Sequence, residues 1–297
     1  MKNLPSRREF MAGATAAAAL AWTANARGQE AAPGEHPWRI GIYTRPWNEY
    51  DYREALDAIA EAGYEAVGVM SGDMLSADTT PEEAAAVGEE CRQRGLSIPS
   101  AYAFGYTVQE SQEAGVTILR RMIDCCEAAG IEDLLMGGTG NFRHHTPYYE
   151  GIAECCAYAR EKGVSISLKP HGGFNASGQQ CRIIAEQIDE PNFGVWYDPG
   201  NIFFYSYTGL DPVDDAPTVN GSVVGVSVKD YQHPRDVALT PGTGMVDFRE
   251  VMRILRDGGF TSGPLVVETL KPGTKEELLD EAIKAREFLE ELRAELL

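Results

Sequence analysis

Between residues 39 and 270, short apolar runs alternate with amphipathic stretches at a spacing of roughly thirty residues. The runs are RIGIYT (39–44), AVGVM (66–70), LSIPSAY (96–102), DLLMGG (133–138), VSISLK (164–169), FGVWYD (193–198), VVGVSVK (223–229) and PLVVET (264–269). Near-continuous apolar runs rich in Val and Ile read as strands buried on both faces. The stretches between them carry helix signals. DYREALDAIAEAG (51–63) has an acidic start, apolar positions at helical spacing and a closing glycine. Thr80-Pro81 and Thr146-Pro147 each predict an N-cap followed by proline in the first turn. The sixth helix is weak, since TGLDPVDDAPTVNG reads as broken. The last helix, from Thr274 onward, is long, and it packs either on a neighbouring copy in a homo-oligomer or on its own barrel.

Eight strands alternating with helices predict a parallel sheet covered by helices. An open doubly wound sheet would show a glycine-rich phosphate turn after its first strand, and YTRPWNEYD has none. Eight is also the number that closes a barrel of about 250 residues. The expected fold class is therefore α/β, a single (β/α)8 barrel over residues 39–297.

The first residues lie outside this rhythm. Arg7-Arg8 precede the Ala-rich run MAGATAAAALAWTA, and Ala24-Asn25-Ala26 offers a small-residue cleavage site. Residues 1–26 thus resemble a twin-arginine export signal, with residues 27–38 as a short linker. An ordinary secretory signal or an uncleaved anchor is the alternative. The expected partner is the twin-arginine export machinery, and the expected location is the periplasm or cell envelope. No later stretch approaches the ~20 apolar residues of a membrane span.

A formal net charge of −19 argues against a nucleic-acid partner, which would need clustered Lys and Arg, and against anionic membrane surfaces. A small-molecule substrate should be neutral, or bound in a basic pocket that the overall charge hides. The six cysteines, with Cys125-Cys126 and Cys155-Cys156 adjacent in helical stretches, match no zinc spacing and read as buried free thiols.

In such a barrel the chemistry lies where strands end. Strand one leads to Tyr43, Arg45 and Trp47; strand two to the MSGDM loop; strand three to Tyr102, Phe104 and Tyr106; strand four to Asn141, Arg143, His144 and His145. Strand five delivers Lys169 and His171, two residues apart and so on one side of an extended chain. Strand six delivers Trp196, Asp198 and Asn201; strand seven Ser227, Lys229 and Asp230; strand eight Glu268. Aromatic walls with convergent polar groups suit a sugar. On that reading Trp47, Tyr102, His144, Trp196, Asn201, Lys229 and Asp230 are candidate substrate contacts. The PGTG turn (241–244) is the strongest phosphate-cradling candidate.

The stretches VSISLKPHGG, VWYDPGN, VSVKDY and PGTGMVDFREVMRILRDGGFTSGPLVVE together resemble the sugar phosphate isomerase/epimerase family of xylose-isomerase-like TIM barrels, over about residues 39–290. The resemblance implies one divalent metal held by Glu, Asp, His and Glu on strands five to eight. Asp198 and Glu268 match, whereas Lys169 stands at the strand-five Glu position and Ser227 at the strand-seven His position. Three readings stay open. The Lys169 ammonium replaces the metal's charge; Lys169 serves as base or Schiff-base amine; or a metal (Mn2+, Zn2+ or Mg2+) is rebuilt on Asp198, Glu268 and His171.

The implied reaction is proton transfer next to a carbonyl, with Glu268, Lys169 and His171 as candidate catalytic groups. Only one of the family's two exchanging glutamates remains, which favours one-base isomerisation or β-elimination over two-base epimerisation. The expected protein is an exported sugar isomerase/epimerase acting on a free, keto sugar. A lyase on an oxidised glycoside and a non-catalytic sugar-binding barrel are the alternatives. The family's endonuclease branch conflicts with the charge of −19.

Overall fold

A computed structural model describes residues 37–297 except 71, 73, 207 and 208. The expected export signal (residues 1–26) and most of the expected linker lie outside the described residues. All eight strands form, and each pairs in parallel with its sequence neighbours: β1 (Trp38–Tyr43), β2 (Ala66–Val69), β3 (Ser97–Tyr102), β4 (Asp133–Met136), β5 (Ser165–Leu168), β6 (Phe193–Tyr197), β7 (Val223–Val228) and β8 (Gly263–Val267). β8 pairs back onto β1, closing the barrel. Trp38, at the end of the expected linker, is instead the first residue of β1; its indole is fully buried, stacks on Phe260 and donates to that residue's carbonyl.

The outer ring contains α1 (Tyr52–Glu61), α2 (Pro81–Gln93), α3 (Gln112–Ala129), α4 (His145–Glu161), α5 (Gly178–Ile188), α6 (Pro199–Tyr205), α7 (Pro212–Asp215), α8 (Phe248–Asp257) and α9 (Lys275–Leu296). α2 starts on the expected cap: Thr80 accepts from the Glu83 N–H, and Glu83 accepts in return from Thr80. Thr146 caps nothing. A 3-10 turn, Phe142–His144, runs straight into α4, so Thr146 lies inside the first turn. The weak sixth helix is two fragments, α7 and the 3-10 turn Ala216–Val219. The long α9 closes its own barrel. Arg293 donates to the Trp38 carbonyl, Arg286 to that of Ala62, and the Ala282 carbonyl accepts from Tyr64. All six cysteines are buried free thiols. Among the described residues no helix is long and apolar enough to cross a membrane.

The barrel interior packs large side chains over missing ones. A Cβ on Gly68 would meet the Tyr43 ring, and one on Gly225 would meet the Trp196 ring. Tyr43, Leu135, Trp196 and Val266 form an inner cluster of their own. It fills the barrel beneath the strand ends, so the mouth has a solid floor.

Candidate active site

The HGG turn after β5 redirects the chain sharply. Gly172 and Gly173 adopt φ of +87° and +60°, a region glycine enters without steric cost. Behind the turn, Asn175 donates to the carbonyls of Gly137 and Lys169, tying the ends of β4 and β5 together. After β6, Asp198 caps α6 with one oxygen, Oδ1, which accepts from the Asn201 N–H at 2.9 Å. Gly200 lets that helix lie flush on β7, because a Cβ there would sit 2.5 Å from the Lys229 carbonyl oxygen.

These devices bring five charged side chains together. Lys169 Nζ faces three oxygens: Glu268 Oε2 at 2.5 Å, Asp198 Oδ2 at 2.8 Å and Ser227 Oγ at 3.3 Å. Lys229 Nζ also faces three: Glu268 Oε1 at 2.6 Å, Asn201 Oδ1 at 3.0 Å and Asp198 Oδ2 at 3.2 Å. Arg45, on the 3-10 turn Arg45–Trp47 after β1, reaches Glu268 Oε1 with Nη1 at 2.6 Å. Lys169, Asp198, Lys229 and Glu268 are buried, whereas the Arg45 side chain remains 42% exposed at the mouth.

The electrostatics follow from this packing. Burial alone would depress the Lys169 ammonium, but Asp198 and Glu268 outweigh it and hold it above the ordinary lysine value. Burial alone would likewise raise Glu268, yet Lys169, Lys229 and Arg45 hold its carboxyl well below the usual range. His171 lies between Tyr102 and Tyr205, with ring centroids 5.9 and 5.2 Å away. Burial, then Lys169 and Lys229, push its imidazole down to about 4, so it is neutral at pH 7.

The donor set does not fit a divalent metal. Asp198 Oδ1 is occupied as a helix cap and Oδ2 is shared by two ammonium groups, while each oxygen of Glu268 already holds a cation. An ion seated between these carboxylates would displace or abut the Lys169 ammonium, a like charge. His171 does not join Asp198 and Glu268, because its ring is held in the aromatic wall. Among the described residues no group of three or more His, Cys, Asp or Glu is arranged to hold a metal. The ion-pair geometry also counts against a Schiff-base amine, since a protonated Lys169 has no free lone pair.

Other expected substrate contacts are placed differently. Asp230 points away from Lys229, as successive strand residues do. Its carboxylate accepts from the backbone N–H groups of Tyr231, Gly242, Gly244 and Val246. It therefore clamps the loop after β7, and two N–H groups of the PGTG turn are already used there rather than open to a phosphate. Trp196 lies in the floor, 1% exposed, and donates to Ser227 Oγ. Trp47 is also 1% exposed and packs in the outer core. Asn201 bridges Lys229 and the Pro170 carbonyl. Tyr102 flanks the site; burial raises its phenol to about 12 despite Lys169. His144 lines a cavity of about 430 Å3 over the loops after β3 and β4, with Tyr106, Gly138 and Asn141. None of the five charged residues lines that cavity. Arg45, Asn175 and Tyr205 were not among the residues singled out as site candidates.

No curated protein sequence matches the chain. Among solved structures it is similar to a xylose isomerase domain protein from Planctomyces limnophilus (19% identity, TM-score 0.71, covering 88% of this chain and 99% of that one). It is also similar to D-psicose 3-epimerase with D-tagatose from Clostridium cellulolyticum H10 (15%, 0.69, 86% and 99%). A third is D-allulose 3-epimerase from Methylomonas sp. in complex with D-allulose (18%, 0.67, 86% and 98%). At these identities the likeness establishes the fold. The family description "Xylose isomerase-like TIM barrel" matches residues 56–292, and the chain belongs to the xylose isomerase-like TIM barrel family.

Proposed function

We propose that this protein is an exported sugar isomerase/epimerase-type enzyme that transfers a proton next to the carbonyl of a keto sugar, with lysine ammonium groups in place of a metal ion. The observation that carries the reading is Lys169 Nζ, buried at the mouth and within 2.8 Å of both Asp198 and Glu268. The sugar-epimerase neighbours support the reaction class. The Arg-Arg motif ahead of an Ala-rich run supports export.

In this reading a fixed cluster with one positive charge in excess stabilises the enediolate oxygen as its charge develops. It is preorganised, because each ammonium is already held by three oxygens. Glu268, drained of basicity by three cations, holds and orients them. Neutral His171 takes the proton from the hydroxyl-bearing carbon next to the carbonyl and delivers it to the former carbonyl carbon, while the hydroxyl proton passes to the other oxygen of the enediolate, as one-base isomerisation requires. Tyr102 and Tyr205 flank His171, whose ring stays exposed at the mouth.

The test is deuterium exchange at the carbon next to the carbonyl, followed by NMR in D2O over a panel of free ketoses and oxidised sugars. At least one sugar should exchange, and Lys169→Met and His171→Gln should each slow it by roughly 100-fold or more. Binding without exchange across the panel would instead establish a sugar-binding barrel. Appearance of an unsaturated product would establish elimination.

A further inference from the structure

Among the described residues, the charged groups in contact at the barrel mouth do not cancel. Three cations, Lys169, Lys229 and Arg45, contact two carboxylates, Asp198 and Glu268. The nearest further carboxylate along the chain, Asp230, is turned outward and held by four backbone N–H groups. Among the described residues, His171, Tyr102, Tyr205 and Ser227 also border the cluster and bring no formal negative charge. A chain of net charge −19 thus keeps a positive centre inside its mouth.

The donors are unevenly free. An ammonium has three N–H groups, and Lys169 and Lys229 each face three oxygens. Arg45 differs. A guanidinium has five N–H donors in a planar fork, and among the described residues Arg45 makes one side-chain hydrogen bond, from Nη1 to Glu268. It is also the most exposed of the cations, at 42% against 1% for Lys169 and 4% for Lys229. One nitrogen of the fork is anchored and the side chain stays 42% exposed at the mouth, which suits a planar anion held by two hydrogen bonds.

We propose that the substrate of this site is an anion, a sugar acid whose carboxylate binds the outer edge of the Arg45 guanidinium. The proposal rests on the reading of the mouth as a sugar site and narrows its substrate class from neutral ketoses to keto sugar acids. The carboxylate neutralises the excess charge on binding, and the anchored guanidinium fixes where the carbon chain enters. Arg45 is then a specificity-determining contact at the end of the substrate away from the reacting carbonyl.

The test compares sugars that differ only in the carboxylate: D-glucuronate against D-glucose, and D-fructuronate against D-fructose. Binding is measured by calorimetry for the intact protein and for Arg45→Gln and Arg45→Lys. Each acid should bind about ten-fold or more tighter than its neutral partner. Arg45→Gln should reduce that preference to within about two-fold, and Arg45→Lys should restore part of it. Equal or tighter binding of the neutral sugars overturns the proposal, as does an acid preference that survives Arg45→Gln. Deuterium exchange separates this result from the enzymatic reading. Neutral ketoses that exchange while acids do not bind overturn the anionic substrate and leave the isomerase. Acids that bind through Arg45 but never exchange support the anionic ligand and remove the isomerase.

Discussion

Two carboxyl groups in this barrel are equally buried and behave in opposite ways. Glu268, at the C-terminal end of β8, is 3% exposed and held well below the usual carboxylate range. Asp133, at the start of β4, is 5% exposed and pushed up to about 8 by burial, a rise that one hydrogen bond from Ser167 only partly opposes. Burial is common to both, and the partners decide the outcome. Glu268 has Lys169, Lys229 and Arg45 around it, whereas Asp133 has one hydroxyl, and its Oδ1 has no hydrogen-bond partner. At neutral pH the upper carboxyl is charged and the lower one largely neutral. The buried cluster of Lys169, Asp198, Lys229 and Glu268 lies where the strands end, which is where a barrel of this kind performs chemistry.

The larger break in this contrast is Glu268→Gln. Among the described residues it leaves Lys169 and Lys229 with Asp198 as their shared carboxylate and Arg45 with none, and a buried charge cluster stripped of one member loses on the order of 3–5 kcal/mol. The urea midpoint should fall accordingly, and an unchanged midpoint would mean that the cluster is not buried as described. The smaller effect is of opposite sign. Asp133 binds its proton more tightly folded than unfolded, so the folded state is penalised increasingly as pH rises from about 4 to about 8. Asp133→Asn keeps an acceptor for Ser167 and removes that penalty. It should stabilise the protein by roughly 2–4 kcal/mol at pH 7 and flatten the decline in stability between about pH 4 and about pH 8. No gain at pH 7, with the slope unchanged, would show that Asp133 is solvated or paired.

The strands were legible because parallel strands buried on both faces have no polar face to interrupt the run. The four buried charges were legible because each lies at the end of such a run. Arg45 follows strand one, but an arginine on a loop gives no sign in sequence that it turns inward to Glu268. The outward turn of Asp230 is readable in the sequence. Asp230 follows Lys229 directly, and neighbours at a strand end face opposite ways. Trp196 shares the face of Asp198 but lies two residues earlier, about 6–7 Å deeper, which puts it in the floor. The cap role of Asp198 was written in Asp-Pro-Gly-Asn, with proline at the first helical position. Its second role, receiving two ammonium groups, depended on strands brought together only by closure of the barrel.

The central claim is that Lys169 occupies the place of a metal ion. It is tested most directly by elemental mass spectrometry of the intact, folded protein beside Lys169→Glu, both dialysed against Mn2+ and Zn2+. If the ammonium holds that place, the native protein carries far less than one equivalent of either metal, and Lys169→Glu, with a third carboxylate in the mouth, takes up more. About one equivalent of Mn or Zn in the native protein, retained on dialysis, would contradict the claim and return the site to metal-dependent chemistry.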